Sequence, residues 1–221
     1  MKLIYRDMGH ILDFNEGYAV ELVIEEPRLF RSFVYSLSEQ IDGGRGDAVL
    51  SSDGKPIELS KYADITVQFS PFLLNRKNLL TKLYSSLEQQ AMNSENYIDT
   101  VERLSSLEAY LHKLAEEFPF QIDCKKVAIG PLIKALSPEI AEADSSDIDR
   151  IFSYMELVRE LDREKLFIMV NMRAYFSDGE MESFTQSACL HDFKLLLIEG
   201  IARNPLTNAK RYTVDADLCE F

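Results

Sequence analysis

Cysteine is scarce and none of it is paired. Cys124, Cys189 and Cys219 are far apart and odd in number, which argues against a disulfide framework or a zinc site and fits a reducing, cytoplasmic setting. Long apolar runs are missing as well. None reaches the roughly 18 residues of a membrane span, and Met1-Lys2-Leu3-Ile4-Tyr5-Arg6-Asp7 lacks the apolar core of a secretion signal. No membrane partner is expected. Positive charge is in deficit: 24 Lys and Arg against 37 Asp and Glu give a net charge of −13. That speaks against a diffuse basic coat but not against a local basic patch.

Catalytic and nucleotide signatures are absent too. A phosphate-binding loop needs glycines for close backbone approach, with a lysine and a hydroxyl residue after them. The strand-to-helix passage where it would sit reads Val23-Ile24-Glu25-Glu26-Pro27-Arg28, with no glycine and two carboxylates that repel phosphate. The glycine cluster Gly43-Gly44-Arg45-Gly46 has neither the motif nor a helix after it. The histidines His10, His112 and His191 form no HExxH, and there is no GxSxG. His191-Asp192 near Ser187 is a triad fragment in composition only. No catalytic residue is assigned.

What is there reads as a parallel sheet. Leu166-Phe167-Ile168-Met169-Val170-Asn171 is a strand, Glu180 to Ala188 is a helical crossover, and Phe193 to Ile198 is a second strand. The first strand ends on the amide Asn171, where a nucleotide hydrolase would usually place a magnesium-holding acid. Upstream, residues 2–6 and 10–14 form a hairpin around Asp7-Met8-Gly9, and Tyr18 to Ile24 is a third strand. Pro27 opens a helix with an apolar face of Phe30, Phe33, Val34, Leu37 and Ile41. Ala48 to Leu50 and Ile57 to Leu59 are short strands around Asp53-Gly54-Lys55-Pro56. Ile65 to Phe69 is another, and Tyr212-Thr213-Val214 is an edge strand.

Between these parts the pattern changes. Leu79, Leu80, Leu83, Leu87 and Met92 mark one helix, and Ile98, Val101, Leu104, Leu111, Leu114 and Phe118 mark a longer one. Asn93-Ser94 breaks them, and a third helix covers Val127 to Leu136. Ile140 to Ala143 is expected as a strand. Ser145-Ser146 caps a helix from Asp147 with Ile148, Ile151, Phe152, Met155 and Leu161 inward. The expected organisation is an α/β head from 1–74 and 139–221, with a helical domain inserted at 75–138.

Two acidic groups have metal-like composition. Asp144, Asp147 and Asp149 lack the glycine and distal glutamate of a calcium loop and read as acids at a helix N-terminus. Glu116, Glu117 and Asp123 around Pro119 are either a cation site at a hinge or a solvated helix end. Within 75–127, Arg76, Lys77, Lys82, Arg103, Lys113, Lys125 and Lys126 nearly balance the acids, so the excess negative charge sits elsewhere. This block carries either a basic seam or a mixed solvated surface.

These segments, in their order and spacing, resemble the short-form accessory spacer-acquisition protein of subtype II-A CRISPR systems. The resemblance runs through Met1-Lys2-Leu3-Ile4, Val23-Ile24-Glu25, Leu29-Phe30, Phe33-Val34, Thr81-Lys82-Leu83, Leu132-Ile133-Lys134-Ala135-Leu136, Val170-Asn171, Tyr175-Phe176-Ser177, Glu180 and Ile198-Glu199. It implies a degenerate RecA-like, P-loop-type α/β head with a helical leg. It also implies a homotetrameric ring that threads double-stranded DNA ends without catalysis, uses calcium, and acts with the CRISPR integrase and the RNA-guided effector nuclease. It points to Lys82 and Lys134 as phosphate contacts, to which the local charge adds Arg76, Lys77, Lys125 and Lys126. The family's acidic stretch before the hinge helix reads Gln121-Ile122-Asp123-Cys124-Lys125-Lys126 here. Only Glu117 and Asp123 keep metal-matching carboxylates, and lysines stand where acids are expected. The rival readings are a divergent P-loop-type NTPase and an acidic protein–protein adaptor without DNA contact.

Overall fold

The computed structural model describes residues 1–123, 125–141 and 145–221. The chain divides into two compact units, Met1–Leu73 with Asp144–Phe221, and Leu74–Ala143.

The first unit holds two sheets. β1 (Lys2–Tyr5), β2 (Ile11–Asp13), β4 (Ala48–Ser52) and β5 (Lys55–Ile57) form a four-stranded sheet in the order β2-β1-β4-β5, with every neighbour antiparallel. The β4–β5 turn puts Asp53 and Gly54 at positive φ, the conformation that Asp-Gly hairpins favour. β3 (Ala19–Ile24), β6 (Ala63–Thr66), β7 (Leu166–Val170), β8 (Lys194–Glu199) and β9 (Ala209–Val214) form a five-stranded sheet in the order β6-β7-β8-β3-β9. All its pairings are parallel. β3 and β7 are buried along their whole length, as parallel strands covered on both faces must be. This is the α/β class expected.

Helix α1 (Pro27–Ile41) packs on both sheets. It buries Leu29, Phe33 and Leu37 in a core that includes Leu3, Leu12, Leu50, Val20, Leu22, Ile168 and Leu196. Each such side chain contributes roughly 2–3 kcal/mol of transfer free energy. α6 (Asp147–Leu161) and α7 (Asp178–Leu190) supply the other buried helical faces, through Ile151, Tyr154, Met155 and Val158, and Met181, Phe184 and Ala188. α6 differs from its sequence pattern at Tyr154, which is fully buried because its hydroxyl donates to Asp64 Oδ2 at 2.9 Å. Ser146 and Ser177 cap α6 and α7.

Other elements depart from their sequence patterns. Ile57–Leu59 is not one strand: β5 stops at Ile57, and Leu59–Tyr62 is a helical turn, α2, that buries Leu59. The strand placed at Ile65–Phe69 is Ala63–Thr66, held in register by Leu166–Met169. Beyond it the chain leaves the sheet and buries Phe69, whose ring lies 5.4 Å from that of Tyr175.

The second unit consists of α3 (Lys77–Ala91), α4 (Tyr97–Ala115) and α5 (Ile129–Leu136). α3 and α5 pack together, with Leu79 and Ile133 buried. α4 ends three residues before Phe118, near Pro119, and buries only Thr100. Ile140 and Ala141 are in no strand, and the rest of that expected strand lies outside the described residues. The Asn75 side chain takes the place of a partner strand: its Nδ2 donates to Ile140 O at 3.0 Å, and its Oδ1 accepts from Ile140 N at 2.9 Å.

Candidate nucleic-acid interface

Lys77 starts α3 and Lys134 lies in the last turn of α5. The packing of these helices brings both lysines to one groove of about 550 Å³, which Thr81, Tyr84, Ser85 and Glu88 also line. Gly130 lines it too, at a point where a Cβ would sit 2.7 Å from Glu88 Oε1. Glycine therefore lets the α3 carboxylate lie over the start of α5. Two ammonium groups beside three hydroxyls suit the oxygens of a phosphodiester.

The other basic residues expected at a DNA contact are not in this groove. Arg76 is the N-cap residue of α3 and half-buried, and Lys82 is exposed farther along the same helix. Lys125 and Lys126 are exposed between α4 and α5. Just after them Val127 N donates to Glu108 Oε1 at 2.7 Å, tying the segment back to α4.

Glu117 and Asp123 are exposed, and Asp123 Oδ1 accepts from Gln121 Nε2 at 3.2 Å. Among the described residues, no three His, Cys, Asp or Glu side chains come together as a metal site. Calcium takes about six to eight oxygens, so these two carboxylates do not make a calcium cage by themselves. In the other acidic group, Asp144 lies outside the described residues. Asp147 Oδ1 accepts from Phe72 N at 3.0 Å, a bond that holds its carboxyl below the ordinary value. Asp149 shares the Ser146 cap. Both act as helix-end acids.

The strand-to-helix passage after β3 holds a carboxylate of the chain's own. At the N-terminus of α1, Glu26 Oε2 accepts from Leu29 N at 2.7 Å. The Leu29 and Arg28 amides keep that carboxyl below its ordinary value, so the donors that would cradle an anion already hold one. Asn171, in the left-handed region at the end of β7, accepts from Gly200 N through Oδ1 at 3.1 Å. The Gly43–Gly46 cluster is structural: Gln40 reaches past Gly46 to bond both Ala48 N and Ala48 O. His191 Nδ1 meets the Ser187 carbonyl, not its hydroxyl, and Asp192 binds Lys194 at 2.9 Å. That is turn chemistry.

Sequence reasoning missed a buried ionic network. Arg173 donates through NH1 to Glu21 Oε1 at 2.6 Å and through NH2 to Asp178 Oδ1 at 2.7 Å. Its main-chain N donates to Glu199 Oε1 at 3.1 Å. Arg211 Nε reaches Glu21 Oε2 at 2.7 Å. Burial opposes the charge on Arg173, yet Asp178 and Glu21 hold the guanidinium above its ordinary value. Burial pushes the Glu199 carboxyl up to about 7. The available signal was a carboxylate inside an apolar strand, Ala19-Val20-Glu21-Leu22-Val23, and another closing Leu195-Leu196-Leu197-Ile198-Glu199.

Among the described residues no helix is long and apolar enough to cross a membrane. The structure is similar to the crystal structure of Stu0660 of Streptococcus thermophilus, with a TM-score of 0.58 and 14% identity, covering 91% of this chain and 69% of that one. The CRISPR-associated protein Csn2 of Enterococcus faecalis is 22% identical over 163 residues, 73% of this chain and 71% of the relative. Neither the matched family nor that relative carries an enzyme's name. The sequence model for CRISPR-associated protein (Cas_Csn2) matches residues 40–218, and the chain therefore belongs to the CRISPR-associated Csn2 family.

Proposed function

We infer that this protein is a non-catalytic binder of double-stranded DNA ends, working as a homotetrameric ring in CRISPR spacer acquisition beside the integrase and the RNA-guided effector nuclease. One observation carries the DNA reading. Lys77 and Lys134, far apart in sequence, converge on one hydroxyl-lined groove, in a chain whose net negative charge makes a converging basic pair stand out. Lys82, Arg76, Lys125 and Lys126 extend the contact along the backbone of the duplex.

Recognition of this kind reads phosphate charge and duplex shape, so it is independent of base sequence and steeply dependent on salt. A ring closed around the duplex admits DNA only at an end, which gives end preference without base readout. The Glu26 carboxylate at the α1 N-terminus supports the non-catalytic reading over a divergent NTPase, because it competes with any phosphate there.

The test is binding to linear and covalently closed circular duplexes of equal length, over a salt series. Preference for the linear form, lost when its ends are blocked, is expected. Equal binding to both forms rejects threading. Absence of binding to either leaves the acidic adaptor. ATP turnover that follows the protein through purification restores the NTPase.

A further inference from the structure

α6 and α7 pack together in the first unit, and a groove of about 520 Å³ is open where they meet. On α7, Glu180, Ser183, Phe184 and Ser187 fall on one helical face and line it, and on α6 Asp149 and Phe152 do the same. Phe184 is buried and Phe152 half-buried, with their rings edge to face at 6.5 Å. The groove therefore has an aromatic floor, a hydroxyl wall and two carboxylates.

The carboxylates are only half used. Asp149 Oδ2 accepts from the Ser146 hydroxyl at 2.6 Å, and Glu180 Oε2 accepts from Ser177 N and Oγ at 2.8 and 2.7 Å. Among the described residues, nothing bonds the second oxygen of either. The Ser177 bonds hold the Glu180 carboxyl below its ordinary value, so it is an anion at neutral pH. The chain's own cations serve elsewhere. α7 carries Asp178, Glu180 and Glu182 but no Lys, Arg or His. On α6, Arg150 lies 3.8 Å from Asp147, and Arg159 donates to the His191 carbonyl at 2.8 Å and lies over the Phe193 ring. Acids above aromatic rings suit a lysine or arginine, whose stem lies on the rings while its charge meets the carboxylates. From Glu180 to Ser187 the lining runs about 10 Å along α7, the length of roughly three residues of extended chain. That length fits a segment of polypeptide better than a single small amine.

We propose that the α6–α7 groove docks a short basic segment of a partner protein, with a lysine or arginine laid on Phe152 and Phe184 and held by Asp149 and Glu180. The groove belongs to the first unit and uses none of the basic residues assigned to DNA, so its failure leaves the DNA reading untouched.

The test is fluorescence anisotropy of a labelled nine-residue peptide of alternating lysine and alanine, titrated with the full chain. Asp149→Asn with Glu180→Gln removes both charges and keeps both cap acceptors, and is expected to weaken binding about tenfold. Ser183→Arg puts a cation of the chain's own in the groove and is expected to abolish binding. Glu25→Gln with Glu39→Gln removes the same charge from exposed positions of the first unit and is expected to change binding less than twofold, which separates the groove from net charge. Circular dichroism is expected to match the parent in every variant. A parent that does not bind the peptide overturns the proposal, as does a groove variant that binds like the parent or a control that weakens as much as the groove variant. Two further results overturn it by naming another occupant. Spermidine binding tighter than the peptide, and lost in the groove variants, points to a free polyamine. A solution mass that falls in Ser183→Arg alone points to a second copy of this chain.

Discussion

Arg173 NH1 lies 2.6 Å from Glu21 Oε1, with both side chains 1% exposed. This pair joins the turn after β7 to the middle of β3, and Asp178 fastens the same guanidinium to the start of α7. Removing the arginine leaves Glu21 with Arg211 alone. Arg173→Met is expected to cost about 3–5 kcal/mol, the usual penalty for stranding a buried charge. Urea unfolding of the two proteins at neutral pH checks it, and a destabilisation below about 1 kcal/mol would show that the network is dispensable.

Glu199 predicts a pH dependence. Its carboxyl is raised by burial from 4.5 to about 7, so the folded chain keeps a proton that the unfolded chain releases. Stability from this group is full below pH 4.5, declines as pH rises towards 7, and stays reduced above it. The reduction is at most about 3 kcal/mol. Glu199→Gln keeps an acceptor for Arg173 N and removes the titration. The variant is expected to gain on the parent between pH 5 and pH 8, read from paired urea melts. A constant difference across that range contradicts the assignment.

The two bonds from Asn75 to Ile140 make a second test. Asn75→Ala leaves both main-chain groups of Ile140 without that partner and is expected to cost about 1–3 kcal/mol. Asn75→Asp keeps the acceptor but loses the donor, and should fall between. Limited proteolysis after 136 should quicken in the same order, and equal cleavage of all three proteins would dismiss the staple.

Lys125 and Lys126 stand where the resemblance expects acids. If their charge serves DNA, reversing both to glutamate weakens binding and flattens the salt dependence. The slope of log K against log salt should fall by about 0.9 for each phosphate that is no longer neutralised. The parent should also bind equally in calcium and in chelator. Unchanged binding by the variant would remove these lysines from the interface.

The parallel strands were legible because Leu166–Val170 and Phe193–Ile198 are apolar almost throughout, which a doubly covered strand favours. Helix α1 was legible from Pro27 and its apolar spacing. The Leu59–Tyr62 turn was not, because four residues carry no period. Tyr154 was missed because a tyrosine in a helix announces no buried acceptor, and Asp64 lies 90 residues away in sequence. At the candidate interface the basic residues could be named from sequence. Their grouping could not: Lys77 and Lys134 meet only through the packing of α3 on α5, whereas Lys82 of the same helix does not line the groove.

The helical unit begins and ends at touching points, Asn75 and Ile140. A segment whose two ends meet can be lifted out of one chain and spliced into a surface turn of another without stretching the host. Such a segment also tolerates changes of helix length inside it, because extra turns move its far end and not its ends of attachment. Relatives can therefore differ in the reach of this unit while the sheet that carries it stays the same.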